Sequence, residues 1–141
     1  MKAGKRAAAI VIIAALTTGT GAVSASAVES HASAAKVKVK VVEFKVIPSV
    51  KRVVPAKVTF VVRNAGQIPH EFVVLKTKTP AGKLPVKGAK AVETGKVGAI
   101  ATFKPGVTKT LTLTLKRGHY VLLCNLPGHY KAGQFVDFTD G

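Results

Sequence analysis

One cysteine, Cys124, in a chain of 141 residues leaves no intramolecular disulfide to form. It must be a buried inert thiol, an intermolecular cross-link or a metal ligand. Because it is not near the N-terminal apolar core, lipid anchoring through an N-terminal cysteine is excluded. Methionine is as scarce: the only one is the initiator Met1. No Met-rich or His-rich motif of the kind metal-delivery proteins display is present. Acidic residues number 6 against 22 Lys and Arg, and Glu43, Glu71, Glu93 and Asp137 are scattered without a paired-carboxylate motif. No Ser/His/Asp arrangement is found either, so an enzyme is not expected. Beyond the N-terminus no segment keeps a helical period. The one long apolar run, 7–16, falls short of the ~20 residues a membrane-spanning helix needs.

That run sits in a secretory pattern. Lys2, Lys5 and Arg6 give a positive start, and Ala25-Ser26-Ala27 is a small-residue cleavage signal. Ala32-Ser33-Ala34 offers a second cut. We therefore expect a signal peptide over 1–27, a flexible segment over 28–35 and one domain over 36–141, exported and monomeric. This length suffices for one core but not for two. The chain carries a formal net charge of +16, and only three of its cations lie in the signal. Such a domain could meet anionic envelope lipids, acidic wall polymers or an acidic protein. Nucleic acid is not expected as a partner, because the lysines are dispersed along Val-rich strands with no basic helix or aromatic stacking motif.

Strands dominate the pattern. Lys36-Val37-Lys38-Val39-Lys40-Val41 alternates strictly, with valines expected inward and lysines in water. Runs at 58–62, 70–76, 108–115, 120–124 and 134–138 carry the same β-branched or alternating signature, punctuated by turn residues such as Asn64-Ala65-Gly66 and Lys116-Arg117-Gly118. The stretch 79–98, with Pro80, Gly82, Pro85, Gly88 and Gly95 among lysines, reads as a long loop holding at most one helical turn. The expected fold is all-β, an antiparallel β-sandwich of Greek-key type.

The chemistry concentrates near the C-terminus, in Cys124-Asn-Leu-Pro-Gly-His129-Tyr-Lys-Ala-Gly-Gln134. A thiolate and an imidazole five residues apart on a Pro-Gly loop can reach one ion from the same side. His70, in Ile-Pro-His-Glu-Phe at the start of an apolar run, offers a second imidazole. A soft thiolate, two imidazoles and a weak axial amide oxygen from Gln134 form the donor set of a blue-copper site. Each residue also has a plain structural reading. His70 alone would be a satisfied core histidine, Gln134 a polar strand-start residue, and Cys124 a small buried apolar group. The Cys124/His129 pair lifts the metal reading above these. Zinc accepts Cys and His, yet its structural sites use more cysteine, and an axial glutamine suits it poorly. His119 and His31 read as a solvated turn residue and an N-terminal bystander, Tyr120 and Tyr130 as packing residues.

The stretch from Tyr120 to Gln134 resembles the copper loop of the cupredoxins, above all the small bacterial plastocyanin-like proteins and the plant phytocyanins. His70, in Pro-His-Glu-Phe-Val-Val-Leu, falls where the first histidine ligand of that family lies. The resemblance implies a Greek-key sandwich, one copper ion and electron transfer. Two departures stand out. Gln134 occupies the position of the usual axial methionine, as in the stellacyanin branch, and Tyr130 stands where phytocyanins carry a disulfide cysteine. The implied function is an exported one-electron carrier with His70, Cys124, His129 and Gln134 as copper ligands and an acidic redox protein as partner. Its docking patch would be Ile68, Pro69, Leu126 and Pro127 around an exposed His129 edge. Envelope copper storage or delivery and a metal-free adhesion module are the competing readings.

Overall fold

The computed structural model describes residues 34–54 and 57–141; the expected signal peptide over 1–27 and nearly all of the 28–35 segment lie outside them. The Lys/Val alternation makes strand β1 (Ala35–Val42), in which Val37, Val39 and Val41 are buried and the lysines between them exposed. Then follow β2 (Lys45–Pro48), β3 (Arg52–Val53), β4 (Lys57–Asn64) and β5 (His70–Lys76). A 3-10 turn (Ala81–Lys83), β6 (Val86–Lys87) and β7 (Lys90–Ala91) lead to β8 (Lys96–Phe103), β9 (Thr108–Thr114), β10 (Gly118–Leu123) and β11 (Phe135–Asp140).

Two sheets form the sandwich, one in the order β2-β1-β4-β9 and the other β3-β11-β10-β5-β8, while β6 and β7 make a small separate hairpin. The pairing is mixed rather than purely antiparallel: β1 runs parallel to β4, and β11 parallel to β3. Parallel neighbours need a crossover, and the chain supplies one by passing through β2 and β3 between β1 and β4. Alternation within a strand does not reveal the direction of its neighbour, so this feature was not visible in the pattern.

The inward faces close on Phe60, Phe72, Tyr120 and Phe138, all essentially inaccessible. Phe60 touches both Phe72 and Phe138, with ring centroids 5.5 Å apart in each pair. A second apolar cluster lies outside β5 and β10, where Val73, Leu75, Val121 and Leu123 meet Ala81, Leu84, Ala91 and Tyr130. It exists because the stretch read as an open loop folds down as a cover. The helical turn expected there is the 3-10 turn, but the hairpin and the start of β8 are additional structure. Val97 and Ala99 on β8 are exposed and Gly98 interrupts it, which is why its sequence lacks a clear strand period.

Phe60→Ala should cost about 3–5 kcal/mol, since it opens a cavity between the two sheets. Chemical denaturation of the purified domain would read this directly.

Candidate metal centre

Two segments distant in sequence meet at one end of the sandwich. His70 opens β5, Cys124 directly follows β10, and Gln134 directly precedes β11. Between the last two the chain winds back on itself through His129 N–H to Leu126 O (3.0 Å), Ala132 N–H to Gly128 O (3.0 Å) and Gln134 N–H to His129 O (3.1 Å). Cys124 N–H closes the base of the loop on Gln134 O at 3.1 Å. Gly128 and Gly133 hold positive φ angles of 82° and 101°, which side-chain-bearing residues adopt only with strain.

The side chains converge. His70, Cys124 and His129 present one donor atom each, all within 4.8 Å of one another. Cys124 Sγ lies 3.4 Å from His129 Nδ1 and 3.9 Å from His70 Nδ1. Gln134 joins them, with its Oε1 2.9 Å from His129 Nδ1 and its Nε2 3.0 Å from His70 Nδ1. The amide has a defined orientation, because Nε2 donates to Val42 O at 2.8 Å. Its oxygen therefore faces His129 and the donor cluster. His70, Cys124 and Gln134 are fully buried, and His129 keeps an exposed edge.

The surrounding groups set the chemistry of the donors. His70 Nε2 donates to Glu43 Oε1 at 3.2 Å, which leaves Nδ1 as the lone-pair nitrogen facing the cluster. Burial lowers the His70 pKa, an effect that outweighs the carboxylate beside it, so the ring is neutral and able to ligate. Burial likewise pushes the Cys124 thiol up, partly opposed by the Glu71 N–H, which donates to its sulfur at 3.3 Å. In the absence of metal Cys124 is thus a thiol, and a bound cation must displace its proton.

Several of these partners carried no signal in the sequence. Glu43, Glu71 and Glu93, scattered along the chain, all end in hydrogen bonds around this site. Glu43 Oε1 accepts the backbone N–H groups of Gln67 (2.7 Å) and Ile68 (2.9 Å), anchoring the segment that leads into His70. A Cβ on Gly66 would strike that carboxylate, so the close approach requires glycine there. Asn64, buried, ties the same segment by donating to Ile68 O (2.9 Å) and Phe103 O (3.1 Å) and accepting from Gly66 N–H (3.0 Å). Glu71 Oε1 accepts the Asn125 N–H at 3.0 Å, and the Asn125 side chain bridges Ala91 and Glu93. Tyr130, expected to be a packing residue, is buried and also accepts from Leu84 N–H (2.9 Å) while donating to Ala81 O (2.7 Å). Buried polar groups need such partners, and here the partners belong to the cover that overlies the loop.

His119 lies away from the cluster. It is a half-buried strand residue rather than a solvated turn residue, within 2.7 Å of Thr77 O and 2.8 Å of Asp137 Oδ1. His31 lies outside the described residues. Phe44, which drew no attention in the sequence, packs edge-on to His129 at 5.2 Å between ring centroids and is itself exposed.

No family model and no curated protein sequence matches the chain. Solved structures do. The auracyanin of the photosynthetic bacterium Roseiflexus castenholzii superposes with a TM-score of 0.58 at 21% identity, over 77% of this chain and 98% of its own. Rusticyanin from Thiobacillus ferrooxidans gives 0.55 at 18% identity, over 75% and 76%. Auracyanin A, described as a "blue" copper protein from Chloroflexus aurantiacus, gives 0.53 at 16% identity, over 75% and 99%. The fold is the cupredoxin β-sandwich.

The Glu43 carboxylate is held down to about 2, chiefly by the Ile68 N–H and then by further backbone donors and His70. Its folded-state pKa lies below the ordinary 4.5, so its contribution to stability is complete above that pH and fades as the pH falls towards 2. Metal-free wild type and Glu43→Gln should therefore differ most in Tm above pH 5 and converge near pH 2. A difference that does not change between pH 6 and pH 2 would contradict this role.

Proposed function

We propose that this protein is an exported one-electron carrier that holds one copper ion through His70 Nδ1, Cys124 Sγ, His129 Nδ1 and, axially, Gln134 Oε1. The observation that carries the reading is the convergence of one thiol, two imidazole nitrogens and an oriented amide oxygen. These donors suit copper: the sulfur and imidazoles serve both of its common oxidation states, and the lone amide oxygen is a weak fourth donor. Copper bound there supplies reversible one-electron chemistry between Cu(I) and Cu(II).

The residues around it do the rest. Glu43 holds His70 by its outer nitrogen, which turns the lone pair of the inner one towards the cluster. The Glu71 N–H stabilises the charge on Cys124 sulfur once its proton has left. The Val42 carbonyl keeps the Gln134 oxygen aimed inward. These supports limit the movement that accompanies a change of charge, which favours rapid electron exchange. The exposed edge of His129 is the exit. Phe44, Ile68, Pro69, Leu126 and Pro127 surround it as an apolar patch suited to the small, short-lived interfaces of redox encounters. The excess of lysine steers an acidic redox partner towards the monomer.

Adding Cu(II) to the purified protein should generate an intense blue absorption band that a reductant bleaches and reoxidation restores. Cys124→Ser should lose the band while its far-UV circular dichroism stays unchanged; a variant that remains blue would refute the assignment. Gln134→Met should raise the reduction potential, because a thioether favours Cu(I) more than an amide oxygen does. An equal or lower potential in voltammetry would exclude Gln134 as the axial donor.

A further inference from the structure

The sheet β2-β1-β4-β9 contains no acidic residue at all. Its outward row along β1 is Lys36, Lys38 and Lys40, all exposed. On β4 the outward positions are Lys57, Thr59, Val61 and Arg63, and on β2 they include Lys45. The register places Lys40 directly opposite Arg63, with Lys36 beside Thr59 and Lys38 beside Val61. On β9, Thr108, Thr110 and Thr112 complete these rows, opposite Arg63, Val61 and Thr59. Like charges facing across a strand pair destabilise a sheet, yet here no carboxylate relieves them. The ion pairs among the described residues involve Glu43, Glu93 and Asp137, each with a partner outside this face.

We propose that this outer face is a docking surface for a linear, phosphate-bearing polyanion that lies along β1. Alternate residues on a strand repeat every ~6.6 Å, so the three lysines form a straight row of point charges that a linear chain of closely spaced phosphates can follow. Hydroxyls of Thr108, Thr110 and Thr112 stand within the same rows as additional donors, and Thr59 and Thr112 lie within 3.0 Å of each other. A bilayer is less well matched: Ile47 on β2 is the one exposed large apolar side chain among these outward positions, too little to enter an acyl boundary. Nor is there an aromatic ring on which a base could stack, which argues against single-stranded nucleic acid. The face is lateral, whereas His129 lies at one end of the sandwich, so a bound polymer would leave the proposed electron exit open. The inference does not depend on metal binding.

The probe is long-chain inorganic polyphosphate, titrated into the full chain at 50 and 150 mM salt. In the wild type, amide shifts should concentrate on β1 and its neighbours on β4 and β9. Substituting Lys36, Lys38 and Lys40 together by Ser should weaken binding about tenfold or more and reduce the log-log salt slope by about two. Substituting Lys78, Lys83 and Lys87 by Ser removes the same charge from another face and should change the affinity much less. Equal losses in the two variants would mean net charge alone drives binding and would overturn the proposal. So would shifts mapped elsewhere on the wild type, a measurement that needs no variant to fold. Tighter binding per phosphate to phosphatidylglycerol/phosphatidylcholine vesicles than to polyphosphate would overturn it in favour of a lipid surface.

Discussion

The amide of Gln134 is the point on which the end of the sandwich depends. Its nitrogen bonds to the last residue of β1 and to the first residue of β5, and its oxygen to His129 on the loop that precedes β11. One side chain thereby ties both sheets to the loop. A buried amide left without partners would cost on the order of 1–3 kcal/mol, so each of these segments is held where the amide needs it. The same contacts leave its oxygen, the His70 Nδ1 and the Cys124 sulfur facing one another.

The scarcity of acidic residues takes on meaning in that context. Glu43, Glu71 and Glu93 are spent on backbone and side-chain donors around the site, and Asp137 is paired with His119 and the Ala81 N–H. Asp140 is buried, with neither oxygen partnered among the described residues, and burial raises its pKa. Carboxylates thus serve as internal fasteners, while lysines are left to define the surface. The consequence is a division of the molecule. A polar network with a neutral, apolar rim occupies the metal end, and an uncompensated cationic sheet occupies one side.

The strand pattern made much of the fold legible. Strict Lys/Val alternation in β1 and Thr/Leu alternation in β9 identify half-buried strands, because a period of two separates the faces physically. Strands β2, β3 and β8 and the β6-β7 hairpin escaped notice, the short ones because they hold no period and β8 because it has exposed apolar residues and a glycine where alternation would be read. The parallel pairing of β1 with β4 escaped for a different reason, since pairing direction is a property of two strands and is written in neither. At the site, spacing alone linked Cys124, His129 and Gln134, and the local sequence around His70 suggested the fourth donor. Glu43, Asn64 and Asn125 were silent, as carboxylates and amides of this kind occur at any surface turn.

What the sequence determined by itself is therefore the identity of the candidate donors and the two-faced character of the strands. Both follow from local chemistry: a thiol and imidazole on one short loop, and side chains that alternate with the pleat. The tertiary structure decided which nitrogen of His70 faces inward, which end of the Gln134 amide points at the cluster, and how the segment 77–95 covers the loop. It also decided that Lys40 of β1 lies beside Arg63. These outcomes depend on contacts between residues tens of positions apart, and such contacts exist only once the sheets have closed.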